Sequence, residues 1–362
     1  MKEASNNWQR LVLLAASLVK VPLRKLNSLQ MRIRHGSSQA GPQEECRMPR
    51  NSVESAEASA EANTDAQRLV RVAQLTRNAS ARPLSEVFFD CEDDLWFWAY
   101  TVGVDVSEEL KSLLPQMPER EIQMITTGRQ GKDTLEEGFK AYQLFKHIAE
   151  EHGVSIGTQS RLLDFGCGWG RLTRFFLKEV LPENLYAIDV NSDLIELCRN
   201  SNLNIRLFVN QPYPPTGFGN DLFDVIYAYS VFSHLAEKFH LAWVAEFQRI
   251  LKPGGLLIAT TRPREFISFC KEYHARHGLQ DHVKGLAHAF PDEQEALASY
   301  DNGEFVFSPT GGGGVLEAHF FGEAAIPEAY VRKNWSEYFS VVDFVPVAVH
   351  GQFDQNVLVG RK

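Results

Sequence analysis

Cysteine is scarce and scattered in this chain: Cys46, Cys91, Cys167, Cys198 and Cys270 among 362 residues, with no CxxC pair. An odd number at wide spacing argues against a disulfide framework and against the usual structural zinc patterns, and it fits a reducing, cytoplasmic setting. Long apolar runs are also missing. Leu11 to Val19, between Arg10 and Lys20, is the nearest to one, and a spanning helix needs roughly 18–20 apolar residues. It is readable as the apolar region of a signal peptide, but no small-residue cleavage site clearly follows it. Positive charge is in deficit, with a formal net charge of −9 and a pI near 5.7. Such a balance argues against a broad electrostatic footprint for DNA or RNA, a local basic patch aside, and no nucleic-acid partner is expected. Metal ligands are thin as well: His274 and His277 stand three apart with no Cys or carboxylate set to complete a site, so no metal is expected.

What is present is organised from the N-terminus onward. Residues 1–50 hold nine Lys or Arg against three Glu, and a Ser/Glu/Ala tract follows through residue 64. Such composition cannot bury a core, so residues 1–82 are expected to form a disordered extension, helices at 8–30 and 65–77 aside. A helix within residues 8–34 could touch a membrane surface. Residues 83–130, with the aromatic cluster Leu95 to Tyr100, read as a helical lead-in. Thr134 to Glu151 has helical spacing, with Phe139, Tyr142, Leu144, Phe145 and Ile148 on one broad face. From Arg161 onward, short apolar strands alternate with helices: strands at 161–165, 185–190, 205–209, 223–229 and 256–261, and helices at 171–180, 193–200 and 235–251. This predicts an α/β fold whose parallel sheet is covered on both faces, a doubly wound arrangement over residues 131–362. A helix to His277, an irregular insertion at about 278–322 with the run Gly311 to Gly314, a helix from Pro327 to Tyr338 and strands near 341–349 and 355–361 complete the chain.

The chemistry-bearing motif is Asp164-Phe165-Gly166-Cys167-Gly168-Trp169-Gly170, which falls where a strand ends and a helix begins. Glycines there allow a sharp turn and close approach of a ligand to the main chain, and a helix N-terminus favours an anionic group. A dinucleotide fingerprint, GxGxxG, would require glycine at position 171, which is Arg171; the third glycine is Gly170 instead. A second strand, Leu185 to Asp189, ends in a carboxylate 23 residues after Gly166, suited to accept hydrogen bonds from both ribose hydroxyls. Asp221 to Tyr227 followed by Ser230 to Leu235, and Arg249 to Gly255 before the fifth strand, complete an ordered set over about 161–262.

This set resembles the class I S-adenosylmethionine-dependent methyltransferases. The resemblance implies a seven-stranded, mostly parallel Rossmann-like sheet with its last strand antiparallel, and S-adenosyl-L-methionine as cofactor. It implies cofactor contacts from Asp164, Gly166, Cys167, Gly168, Gly170, Asp189, Val190, Phe208, Asn210 and Ser230, with Asp189 on the ribose. Many relatives carry Asp where Asn210 stands; Asn can still face the adenine amino group through its carbonyl. Phe208 is equally readable as adenine wall or core.

Methyl transfer is an in-line displacement at an already activated carbon, so the protein chiefly aligns the acceptor and excludes water. A base is needed only when the acceptor must lose a proton. His234, after the fourth strand, is the candidate base, although a histidine there also suits capping or packing. Tyr300 and Asp301, in the insertion, are the candidate acceptor contacts. The polar stretch His350 to Gln355 reads as a turn between the last strands, away from the ribose end. The expected activity is methyl transfer to a hydroxyl or amine of a small-molecule or sugar-like acceptor. Alternatives are a nicotinamide-dependent oxidoreductase and a non-catalytic methyltransferase-like binding domain.

Overall fold

The computed structural model describes residues 64–77, 79, 82–277, 286, 288–310 and 316–362, with residues 274–277 described by their backbone alone. The expected 8–30 helix, the membrane contact through 8–34, the Gly311 to Gly314 run, Cys46 and the side chains of His274 and His277 lie outside the described residues. The chain divides into two compact units between Gln116 and Met117.

In the first unit, residues 64–75 are helical, where a helix at 65–77 was expected within the extension. Leu69, Val72 and Ala73 are buried on it, and Asp65 accepts a 2.7 Å hydrogen bond from the Trp98 indole. The aromatic cluster forms Asp93–Trp98, which continues through one π-helical turn, Ala99–Gly103. Trp96 is fully buried, packed against Phe88 and Tyr100. Ser107 then caps Glu108–Leu113, its hydroxyl accepting from Leu110 N.

The second unit opens with α1 (Arg120–Thr127) and α2 (Lys132–Glu151). The sequence reading placed α1 in the lead-in. Its bonds place it here, because Trp169 donates to Thr126 Oγ1 at 3.0 Å and Thr127 shares a hydrogen bond with Thr134. Leu135, Phe139, Tyr142, Phe145 and Ile148 form the buried stripe of α2, at the spacing an amphipathic helix needs.

Seven strands follow in one sheet: β1 (Leu162–Phe165), β2 (Leu185–Asp189), β3 (Arg206–Val209), β4 (Phe223–Ala228), β5 (Leu251–Thr261), β8 (Ser340–Val345) and β9 (Asn356–Arg361). A separate antiparallel ribbon pairs β6 (Val306–Pro309) with β7 (Gly322–Ala325). The sheet order is β3-β2-β1-β4-β5-β9-β8, parallel from β3 to β5, with β9 antiparallel to both neighbours. The expected seven-stranded, doubly wound sheet with its last strand antiparallel is therefore present. Strands β1 and β4 are predominantly apolar, each interrupted by one aspartate, because both faces are covered. On one face Tyr227 stacks on Phe176 and meets Phe145. On the other, Phe165 packs on Trp243 and Phe247 of α4 (Glu237–Ile250), the helix that follows α3 (Ser192–Asn200), in a core that also holds Trp335.

Three local expectations change. The segment after the glycine loop is a six-residue 3-10 helix, Thr173–Lys178, and not an α-helix from Arg171; Thr173 and Arg174 both turn inward, to Asp164 and to Gly170 O. The insertion expected to be irregular holds α6 (Glu293–Asp301), capped by Asp292, and β6. With α5 (Glu265–His277) they enclose a small core of Phe266, Ile267, Cys270, Phe290 and Val306. The helix expected at 327–338 stops at Asn334, as α7 (Glu328–Asn334), and residues 347–350 form a helical turn where strand was expected. No helix among the described residues is long and apolar enough to cross a membrane.

Candidate functional site

The site forms along the C-terminal edge of the parallel strands, where open α/β sheets bind ligands. The glycine loop closes onto β2, with Gly166 N and Cys167 N both donating to Ile188 O, at 2.8 and 3.1 Å. Gly168 and Gly170 have φ of 55° and 75°, a region that side chains occupy at a cost. A Cβ on Gly170 would lie 2.5 Å from Leu203 Cδ2, whereas one on Gly168 would meet nothing within 4 Å. Packing inside the protein thus demands glycine at 170, and position 168 faces open space. Gly170→Ala should cost about 2–4 kcal/mol of stability, from overpacking and backbone strain together. Gly168→Ala should cost about 1 kcal/mol and act mainly on S-adenosylhomocysteine binding. Urea unfolding and calorimetric titration of both variants check this, and the reverse ranking would refute it.

Asp164 lies under the loop, 2% exposed, and accepts a hydrogen bond from Thr173. Burial pushes its pKa up to about 7, with Thr173 opposing and the Asp189 charge adding to the rise. An unfolded aspartate titrates near ~3.9, so between about pH 4 and 7 the folded chain holds a proton that the unfolded chain has lost. Stability from this group is therefore greatest at the acid end and falls as pH rises, by at most about 1.4 kcal/mol per pH unit. Asp164→Asn should flatten that slope in urea unfolding series across the window; a variant as pH-dependent as the parent would contradict it.

Asp189 ends β2, nearly buried, with Oδ2 accepting from Gly168 N and Oδ1 from Asn191 N, both at 2.8 Å. Burial raises its pKa against the pull of these N–H groups. Val190 follows, half-buried. Asn210 N donates to Asp189 O, which brings Asn210 beside it. Asn210 gives its amide N–H to Gln211 O, while its Oδ1 is buried with no partner among the described residues. Phe208 is 43% exposed, stacked on Tyr186 and edge-on to Phe218. Ser230, just past β4, has φ of 58°, held there by its N–H donating to Thr260 Oγ1 at 2.7 Å. Thr260 in turn donates to buried Gln355. Because β9 runs antiparallel to β5, with Asn356 opposite Thr261, the polar turn ending at Gln355 reaches this same edge of the sheet.

Several residues here escaped the sequence reading. Glu137 of α2 accepts from the Tyr229 hydroxyl at 2.9 Å and pairs with Arg171 at 2.9 Å and Arg129 at 2.5 Å. Burial opposes its ionisation, but Arg171, the Tyr229 hydroxyl and Arg129 outweigh burial and lower its pKa. A recess of about 180 Å³ opens beside it, lined by Arg129, Asp133, Glu136, Glu137, Lys140 and Phe353. Arg174, wholly buried, lies over the Trp169 ring and donates to Gly170 O, bracing the loop. Only the inward-facing arginine in the apolar stretch after the loop hinted at this; the other pairs span too many residues to leave a local pattern.

His234 sits in the turn before α4. Its Nδ1 is 2.8 Å from Gly322 O and 3.4 Å from Glu323 Oε1, and its ring stacks on Phe321. Tyr300 and Asp301 are not drawn to the loop by any described contact. They end α6; Tyr300 packs on the insertion's core, and Asp301 gives both oxygens to Arg264 at 2.6 Å.

Residues 162–255, which carry the loop, Asp189 and the turn into β5, match a family model described as a methyltransferase domain. The chain carries a class I S-adenosylmethionine-dependent methyltransferase domain. It is 32% identical over 152 residues to the malonyl-[acyl-carrier protein] O-methyltransferase of Hahella chejuensis, covering 37% of this chain and 51% of that protein. It is also 32% identical over 124 residues to the fatty-acid O-methyltransferase of Mycolicibacterium smegmatis, covering 34% and 43%. An S-adenosylmethionine-dependent methyltransferase structure from Methanosarcina mazei aligns at 18% identity with a TM-score of 0.41, over 59% of this chain and 96% of that one. The chain spans about half the length of the curated relatives it matches. S-adenosylmethionine is the methyl donor of this family, and the residues of the methyltransferase domain fit it. The unpartnered, buried Asn210 Oδ1 suits an adenine amino group, the Asp189 carboxylate a ribose, and the space over Gly168 a close approach to the backbone.

Proposed function

We propose that this chain transfers a methyl group from S-adenosylmethionine to a hydroxyl oxygen of a small-molecule acceptor. The observation that carries the donor half is the grouping of Asp189, the open Gly168 and the buried, unpartnered Asn210 Oδ1 on one sheet edge. An oxygen acceptor is supported by the two O-methyltransferases to which the chain is similar. His234, past β4 on the same edge, is the base that takes the hydroxyl proton, and Arg129 and Glu137 offer opposite charges to the amino-acid end of the donor. A net charge of −9 disfavours nucleic acid as the acceptor. The scattered cysteines, none of them in a disulfide among the described residues, support a cytoplasmic setting.

Calorimetric titration with S-adenosylhomocysteine and, separately, with NAD tests the donor half. Binding of S-adenosylhomocysteine alone is the expected result, and binding of NAD alone would replace this reading with the oxidoreductase. Incubation with methyl-labelled donor and a cell extract then shows whether any acceptor is methylated; an adenosyl ligand bound without transfer would point to a non-catalytic domain.

A further inference from the structure

We propose that the inserted ribbon β6–β7 makes His234 a base. Gly322 O and the Glu323 carboxylate claim the Nδ1 proton, which leaves Nε2 to accept a proton from a neutral hydroxyl. Glu323 is thereby a positioning residue. This inference rests on the methyltransferase reading above and extends it to the protonation state of the acceptor.

A carbonyl oxygen and a carboxylate can only accept, and both face His234 Nδ1, at 2.8 and 3.4 Å. Nδ1 must therefore carry the hydrogen, and in a neutral ring the basic lone pair is then on Nε2. No described residue bonds Nε2. The ring has little freedom to turn away. Gly322 N donates to His234 O at 2.8 Å, Ala324 N donates to Ser233 O at 2.7 Å, and Leu235 pairs with Phe321. The segment after β4 is thus zipped onto β7, and the imidazole is stacked on Phe321 at 4.8 Å with 12° between planes.

Glu323 is buried and its other oxygen, Oε2, is 3.3 Å from Arg262 Nε. Arg262 lies over the Phe266 ring at 4.2 Å and is 3.7 Å from Asp354, so it is itself held in place. Burial disfavours the Glu323 charge, but His234 and Arg262 outweigh it and lower the pKa. A fixed anion behind Nδ1 stabilises the imidazolium formed once Nε2 is protonated, a base oriented by a third group.

The step balances. The acceptor oxygen attacks the methyl carbon and a C–O bond forms. The C–S bond breaks and its electron pair returns to sulfur, discharging the sulfonium. The hydroxyl proton goes to Nε2 and later to water. A carboxylate acceptor, already anionic, would need no such base, so the device points to an alcohol or phenol.

Three measurements on the full-length protein test this. The first is the His234 tautomer of the unmodified protein, read by long-range 1H–15N NMR and assigned with His234→Asn. The Nδ1–H form is expected, and a predominant Nε2–H form would overturn the proposal. The second is a double-mutant cycle on the labelled transfer rate with a cell extract. Glu323→Gln should lower it about tenfold or more in the parent and have no further effect in the His234→Asn background, with Glu323→Asp recovering part of the loss. Equal losses in both backgrounds would make Glu323 merely structural. The third is alkali treatment of the labelled product. Label that resists alkali and stays out of aqueous acid marks a methyl ether. Release as methanol would mark an ester, and passage into acid an amine; either overturns the hydroxyl assignment. Failure of S-adenosylhomocysteine to bind would sink the donor reading alone, since the tautomer is measured without it.

Discussion

Asp189→Ala is expected to weaken S-adenosylhomocysteine binding by about 100-fold or more. The carboxylate is nearly buried at the end of β2 and already receives Gly168 N and Asn191 N. Each oxygen retains acceptor capacity for a ribose hydroxyl, and hydrogen bonds to a charged group contribute about 1.5–3 kcal/mol each. Losing about 3 kcal/mol is about 100-fold in affinity. The same substitution frees two backbone N–H groups, so part of the effect is loosening of the glycine loop. Asp189→Asn separates the two: it preserves volume but turns one amide N–H toward a backbone donor. Calorimetric titration, with unfolding curves to confirm that the fold persists, gives the comparison. An Asp189→Ala protein that binds as tightly as the parent would remove Asp189 from the ribose site.

His234→Asn is expected to reduce labelled methyl transfer by about 10²–10⁴-fold, the usual contribution of a positioned general base, with S-adenosylhomocysteine affinity unchanged. Asparagine can keep a donor near Gly322 O but has no titrating nitrogen to replace Nε2. The contrast with His240, six residues on, shows why histidine alone is a poor signal. His240 is wholly buried on α4, where burial pushes its pKa down to about 3, and its Nε2 accepts from the Trp335 indole. It packs against Phe232 and Phe305. His234 differs in being tied through Nδ1 to the inserted ribbon at the sheet's ligand edge. An unchanged rate in His234→Asn would return it to the role of a turn residue.

The proposed donor site was legible because its signals are local. Three glycines at alternate positions, a strand ending in Asp189 and the turn before β5 lie within about one hundred residues in a fixed order. Each acts through the backbone next to it: a left-handed φ at Gly168 and Gly170, a strand end at Asp189. The strands were legible for a similar reason, since burial on both faces leaves short, mostly apolar segments. The insertion was less legible. The α6 segment carries few apolar residues and buries only Ala296, so its periodicity is faint, and nothing in the linear pattern showed that Arg264 holds Asp301.

By itself, then, the sequence determined the doubly wound sheet, the glycine loop at its ligand edge and the absence of a dinucleotide fingerprint at Arg171. The tertiary structure alone decided what surrounds Glu137 and His234. Glu137 meets Tyr229 across 92 positions, and His234 meets Gly322 across 88. Such pairs follow from strand register and from where the ribbon β6–β7 docks, and contacts set by packing leave no spacing that a linear pattern can show. Arg171 illustrates both: its identity denied the third fingerprint glycine, and only the fold showed that it anchors Glu137.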